Sequence, residues 1–155
     1  MKSLLSILVF ISALAQAQIP PDRGGLLKGG GMGMAAYAEL SGFPGPKHVL
    51  ALKDSLGLTP DQANRTKALV ESVTASAKLI GEEIVAAEER LHALFRGSDR
   101  VDRTAVQAVL KEIGGLLSDL RYVHLQAHLQ MREILTPGQI DLYSSLRGYG
   151  KTEEK

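Results

Sequence analysis

Apolar residues recur at helical spacing through two long stretches that only a short polar break separates, and this pattern constrains the fold more than any other feature of the chain. Leu69, Val70, Val73, Ile80, Ile84, Leu91 and Leu94 mark the first stretch, from Pro60 to about Phe95. "RGSD" at 96–99 interrupts it, and Ser98 or Asp102 can cap the next helix. Val106, Val109, Ile113, Leu116, Leu117, Leu120 and Val123 mark the second, continued by Ala127, Met131 and Ile134. At a rise of roughly 1.5 Å per residue, each helix runs to about 50 Å. So short a connection makes the two antiparallel.

The same phrase stands at the outer end of each stretch. In "LGLTPDQ" at 56–62, Thr59 is an N-cap, Pro60 takes the first helical position and Gln62 can reach back to the cap. Leu58, just outside, can act as a hydrophobic staple. In "ILTPGQ" at 134–139, Thr136, Pro137 and Gln139 repeat the device, and Leu135 can staple onto Ile140. Each copy therefore starts a helix, the second a short one from Pro137 to Arg147 that Gly148 ends. Upstream, "PKHVLALKDSLG" carries a short stripe of Val49, Leu50, Leu52 and Leu56, stopped by Gly57. The expected class is all-α, a long antiparallel hairpin with short flanking helices. Two helices bury too little on their own, so a homodimer is expected. Gly81, Gly114 and Gly115 fall at one level of the hairpin. Each glycine costs about 1 kcal/mol against alanine in a helix interior, so the three should mark a bend or a close approach between the helices.

The remaining segments bear on location. Residues 1–17, "MKSLLSILVFISALAQA", pair Lys2 with an apolar run from Leu4 to Ala15 and the small-x-small pattern Ala15-Gln16-Ala17, the marks of a cleavable export signal. The run, about 12 residues, is short of the roughly 20 that span a bilayer. The expected product starts at Gln18 and is periplasmic. Residues 18–46 are dense in Gly and Pro and read as a flexible tail. Met32 and Met34 within it have the chemistry of soft ligands for copper or silver, but no histidine or third methionine lies near them in sequence, and they are read as tail residues with no site. The helical domain spans 47–149 and a polar end comes after it at 150–155. Taking Lys2 from the 18 basic residues leaves 17 against 17 acidic ones, which gives no electrostatic case for nucleic acid as a partner. With 0 cysteines there is no disulfide framework and no thiol chemistry.

Four histidines are present. His124 and His128 stand at i, i+4 in "RYVHLQAHLQMREILTP", with Met131 further along the same side, a spacing that suits two ligands of a divalent transition metal such as Zn, Cu, Ni or Co. Antiparallel pairing sets residues 70–74 opposite and makes Glu71 the candidate third ligand, while His48 can fold back toward the same end. The alternative is a pair of half-exposed, satisfied histidines beside the core stripe. His92, next to Glu88 and Glu89, reads as part of a solvated charged face. There is no Gly-x-Ser-x-Gly elbow, phosphate loop or His-Glu-x-x-His, so no catalytic residue is assigned and the chain is read as a binding protein, not an enzyme.

An export signal, a cysteine-free helical chain and two Leu-Thr-x-x-Gln phrases flanking a long hairpin resemble the Spy/CpxP proteins. These overlap the periplasmic heavy-metal sensor and resistance proteins related to ZraP and CnrX. The resemblance covers about residues 47–149, and "MREILTPGQIDLYSSLRGY" is its most specific part. It implies a curved all-helical dimer whose concave face holds unfolded envelope proteins without ATP, and in some members a membrane-bound regulator as partner. Metal-sensing members present a His-x-x-x-Met pair before the final helix. Here Met131 matches the methionine and Ala127 stands at the histidine position, with His128 and His124 three and seven residues before Met131. Chaperone members tend to have a basic concave face; this chain is neutral, so client capture would rely on exposed apolar surface. The first functional expectation is accordingly an ATP-independent chaperone of the envelope stress response. The second is a periplasmic metal sensor or resistance protein using His124, His128, Met131 and Glu71 or His48.

Overall fold

The computed structural model describes residues 20–96 and 100–149, so the assigned export signal lies outside the described residues. Six helices and no strand are found among them. Three are short: α1 (Arg23–Leu27), α2 (Ala36–Leu40) and α3 (Pro46–Ala51). Two are long, α4 (Pro60–Phe95) and α5 (Arg103–Ile134), of 36 and 32 residues, and they form the expected hairpin. α6 (Pro137–Leu146) closes the chain, with Gly148 at a positive φ of 71° just beyond it. Asp102 caps α5: its carboxylate accepts from the amides of Thr104 at 2.8 Å and Ala105 at 3.3 Å, while Ser98, the other candidate, lies outside the described residues. No helix among the described residues is long and apolar enough to cross a membrane.

Both capping boxes form as the sequence dictates. Thr59 accepts from the Gln62 amide and Thr136 from the Gln139 amide, while each glutamine side chain accepts from its own cap residue's N–H. The repeat also has a longer-range meaning. The two glutamine side chains meet and bond reciprocally: Gln62 Nε2 donates to Gln139 Oε1 at 2.8 Å and Gln139 Nε2 to Gln62 Oε1 at 3.0 Å. Gln62 Nε2 also donates to the Ile134 carbonyl at 2.9 Å, and Gln139 Nε2 to that of Leu56 at 3.3 Å. One phrase starts two helices and then ties their starts together. Beside this clasp, Val49, Leu56, Met131, Leu135 and Tyr143 form a buried cluster that Leu58, Leu69 and Ile140 flank.

The segment expected as a flexible tail, 18–46, is a packed part of the fold over its described residues. Leu26 is 1% exposed and sits with Ala77, Ile84, Val85 and Leu120 in a second core cluster, flanked by Leu27, Met34, Ile80, Leu116 and Val123. Arg23 reaches Glu89 at 2.7 Å on the far side. The glycines here allow close approach. Gly29 holds φ at +63°, and a Cβ on it would lie 2.6 Å from the Thr74 carbonyl oxygen. The composition that reads as entropy is, in the fold, a backbone laid directly on α4.

The glycine level in the hairpin divides for the same reason. A Cβ on Gly81 would collide with the backbone of Leu26, so its contact is with α1 and not with α5. Gly114 and Gly115 are exposed on α5, with nothing within 4 Å of where a Cβ would stand. The expected three-glycine approach between the long helices is not what the fold contains.

Candidate functional site

Residues 29–48 arch over the open side of the hairpin and enclose a cavity of about 320 Å³ against α4 and α5. On the α4 wall stand Val70, Val73 and Thr74, and on the α5 wall His124, Ala127 and His128. The i, i+4 spacing therefore does bring the two histidines to one face. Both are buried, each 8% exposed.

The strap, residues 29–48, meets both rings. His128 Nδ1 lies 2.8 Å from the Phe43 carbonyl oxygen; a carbonyl only accepts, so Nδ1 is the donor. His124 makes a backbone hydrogen bond with Gly30 that favours its protonated form, as a carbonyl acceptor does. Its Nε2 is buried without a hydrogen-bond partner. Burial holds the His124 pKa below the ordinary imidazole value, helped by the neighbouring charges of Lys47 and His128 and opposed by the Gly30 bond. The ring is thus kept neutral. One turn on, Arg132 donates to the Gly42 carbonyl at 2.5 Å and stacks its guanidinium over Phe43, 4.7 Å from the ring centre. His124, His128 and Arg132 form a stripe on α5 facing the strap, in which His128 holds the Phe43 carbonyl and Arg132 that of Gly42.

The other candidate ligands are dispersed. Glu71 is exposed, its carboxylate 3.9 Å from Lys67 one turn back on α4, and it does not line the cavity. The expected register holds, since 70–74 does face the histidines, but at about 100° per residue Glu71 turns away when Val70, Val73 and Thr74 turn in. Met131 is 0% exposed in the cluster beside the glutamine clasp, where the Thr66 hydroxyl lies 3.8 Å from its sulfur. It continues the stripe beyond His128, but there α5 packs against core and not cavity. His48 reaches the cavity rim, with Nδ1 2.6 Å from Glu39. Glu39 also accepts from the Tyr143 hydroxyl and lies 3.5 Å from Arg147. Burial alone would raise its pKa; bonds from Tyr143 and His48 and the charges of His48 and Arg147 outweigh it and hold it low. Burial first, and then the Glu39 carboxylate, push Tyr143 well above its ordinary value. No group of three or more His, Cys, Asp or Glu suited to a metal is found among the described residues.

Sequence reasoning missed the strap's share of the cavity, the Phe43 carbonyl, Glu39 and Lys47, and set Met32 aside as a tail residue.

A family model described as heavy-metal resistance matches residues 7–141. No curated protein matches the chain, and neither does any solved structure.

Proposed function

The chain belongs to the heavy-metal resistance family, and from that premise we propose that it is a non-enzymatic protein of the periplasm that binds a transition-metal ion through His124 and His128. The observation that carries this reading is the unpartnered Nε2 of His124. A buried acceptor left without a hydrogen bond costs about 1–3 kcal/mol, and a histidine serving only to tether the strap has no need to incur it. Donation of the remote ring N–H to a carbonyl is also the arrangement that orients an imidazole for metal ligation. His128 has it, to Phe43. A bound ion supplies the positive charge that a ring lone pair would face. The residues themselves orient the rings, keep His124 neutral and couple ligation to the strap.

The client-holding expectation has less behind it. The hairpin's open side is occupied by the chain's own residues, with Leu26 and Met34 on the apolar surface that a client would need. The remaining large exposed apolar side chains, among them Leu79, Leu110 and Leu117, fit a homodimer interface as readily as a client surface.

Titration with Zn(II), Ni(II), Co(II), Cu(II), Cu(I) and Ag(I) against competing chelators tests the proposal. The wild type is expected to bind at least one of these ions, and His124→Ala/His128→Ala to lose about a hundredfold or more in affinity. Binding that is absent, or unchanged by the double substitution, contradicts it.

A further inference from the structure

What the cavity takes along with a metal ion follows from its size and from the polar groups in its wall, and this step rests on the reading that His124 and His128 are ligands. A cavity of about 320 Å³ is far larger than a bare ion requires. A water molecule takes up about 30 Å³ in the liquid, and pockets for small organic molecules begin at about 300 Å³. Glycine keeps this room open, since Gly29, Gly31, Gly33 and Gly45 all stand in the wall. A Cβ on Gly45 would lie 3.2 Å from His128 Cε1 and 3.5 Å from its Nε2, in space that any side chain there would take from the ring.

Two imidazoles leave a divalent transition-metal ion short of donors, because such ions take four or more. The chain's other candidates do not make up the number. Glu71 faces solvent, Met131 is sealed in the core, and Glu39 Oε1 is shared among Tyr143, His48 and Arg147. The wall does hold two further polar groups that lack a partner. Lys47, on α3, lines the cavity, and no carboxylate among the described residues pairs with its ammonium. Thr74, on α4, lines it too, and its hydroxyl has no hydrogen bond among the described residues. Two turns earlier the Thr66 hydroxyl, by contrast, donates back to the Gln62 carbonyl at 2.7 Å. With His124 Nε2, three helices each bring an unpartnered polar group to a wall whose other side chains include Val70, Val73 and Ala127. Few polar groups set in apolar walls are the mark of a site for a small organic ligand.

We infer that the preferred cargo is a metal ion already held by a small carboxylate chelator, an amino acid or a hydroxycarboxylate, with His124 and His128 on the ion and Lys47 on the chelator's carboxylate. The chelator supplies the donors that the chain lacks. Its negative charge offsets that of the ion in a site to which Lys47 adds a positive charge of its own. The ammonium also lets the cavity tell a chelate from a hydrated ion, which carries no anion for Lys47 to meet.

Equilibrium dialysis with isotopically labelled citrate or L-histidine, with and without equimolar Ni(II) or Zn(II), tests this on wild type, Lys47→Met, Lys53→Met and His124→Ala/His128→Ala. With at least one of the two chelators, wild type is expected to retain about one chelator per ion and to bind that complex at least about tenfold more tightly than the ion alone. Which chelator is retained identifies its class. Lys47→Met should weaken the complex at least about fivefold and leave the affinity for the ion alone within about twofold. Lys53→Met, exposed and outside the cavity wall, should change neither. An ion bound with no chelator retained, or a complex that Lys47→Met weakens no more than Lys53→Met does, would overturn the inference while leaving the histidine site standing. No ion bound in any form, or binding that the double histidine substitution leaves unchanged, would overturn the histidine reading and this inference with it.

Discussion

Two pairs of polar side chains are brought together across this fold, and they are finished in opposite ways. Gln62 and Gln139 meet beside the starts of α4 and α6, and each amide is used on both its oxygen and its nitrogen. His124 and His128 lie one turn apart on α5; His128 has Nδ1 engaged by the Phe43 carbonyl, and His124 has its Nε2 buried without a partner. A saturated pair has no capacity left for a ligand and acts on stability. A buried pair with a ring nitrogen left unpartnered has capacity for a ligand.

The sharpest way to break this contrast is to remove a glutamine. Gln62→Ala deletes one capping-box member and strands the Gln139 amide, the Ile134 carbonyl and the Thr59 N–H at once. Chemical denaturation should show a loss of about 3 kcal/mol, with the metal affinity of the folded protein unchanged. A fall in affinity alongside stability would join the two pairs into one device.

Gly81→Ala comes next. The new methyl group meets the Leu26 backbone, which has no freedom to rotate away, so a loss of about 2 kcal/mol is expected. Hydrogen exchange should locate the loosening in residues 23–34. Gly114→Ala, at the same level of the hairpin, should instead gain about 1 kcal/mol, because its Cβ enters open space and alanine is the better helix former. A loss there would reveal a second chain seated on α5, and sedimentation of the wild type would then show the dimer.

The smallest effect is on pH dependence. His124 has its folded pKa below the ordinary 6.5, so the folded state binds fewer protons than the unfolded one. Its contribution to stability is present above pH 6.5 and is lost as pH falls through the folded value. Metal-free protein should therefore lose stability on acidification below neutrality. Gln62→Ala should keep that slope and His124→Gln should flatten it.

The hairpin, its caps and the co-facing histidines were legible because each rests on periodicity or on contacts within a few residues. Thr59 with Gln62, and His124 with His128, are relations a helix fixes by itself. The illegible parts depend on which surface a non-periodic segment finds. Nothing in "RGGLLKGGGMGM" says that Leu26 fills a core or that Gly29 lies on Thr74, since glycine is favoured equally where a chain is loose and where it is pressed close. Glu71 was misplaced by a single position, and on a helix one position is enough to turn a candidate ligand to solvent. Met131 was misplaced because sequence shows the stripe it shares with the histidines but not where along that stripe the cavity ends.

Long-range proton–nitrogen correlation spectra of the histidine side chains test the central claim most directly. In the metal-free protein, His128 should show a protonated Nδ1, and a stoichiometric amount of a bound ion should shift ring-nitrogen resonances of both His124 and His128. A His128 Nδ1 without its proton, or resonances that Ag(I), Cu(I) and the divalent ions all leave in place, would contradict the account.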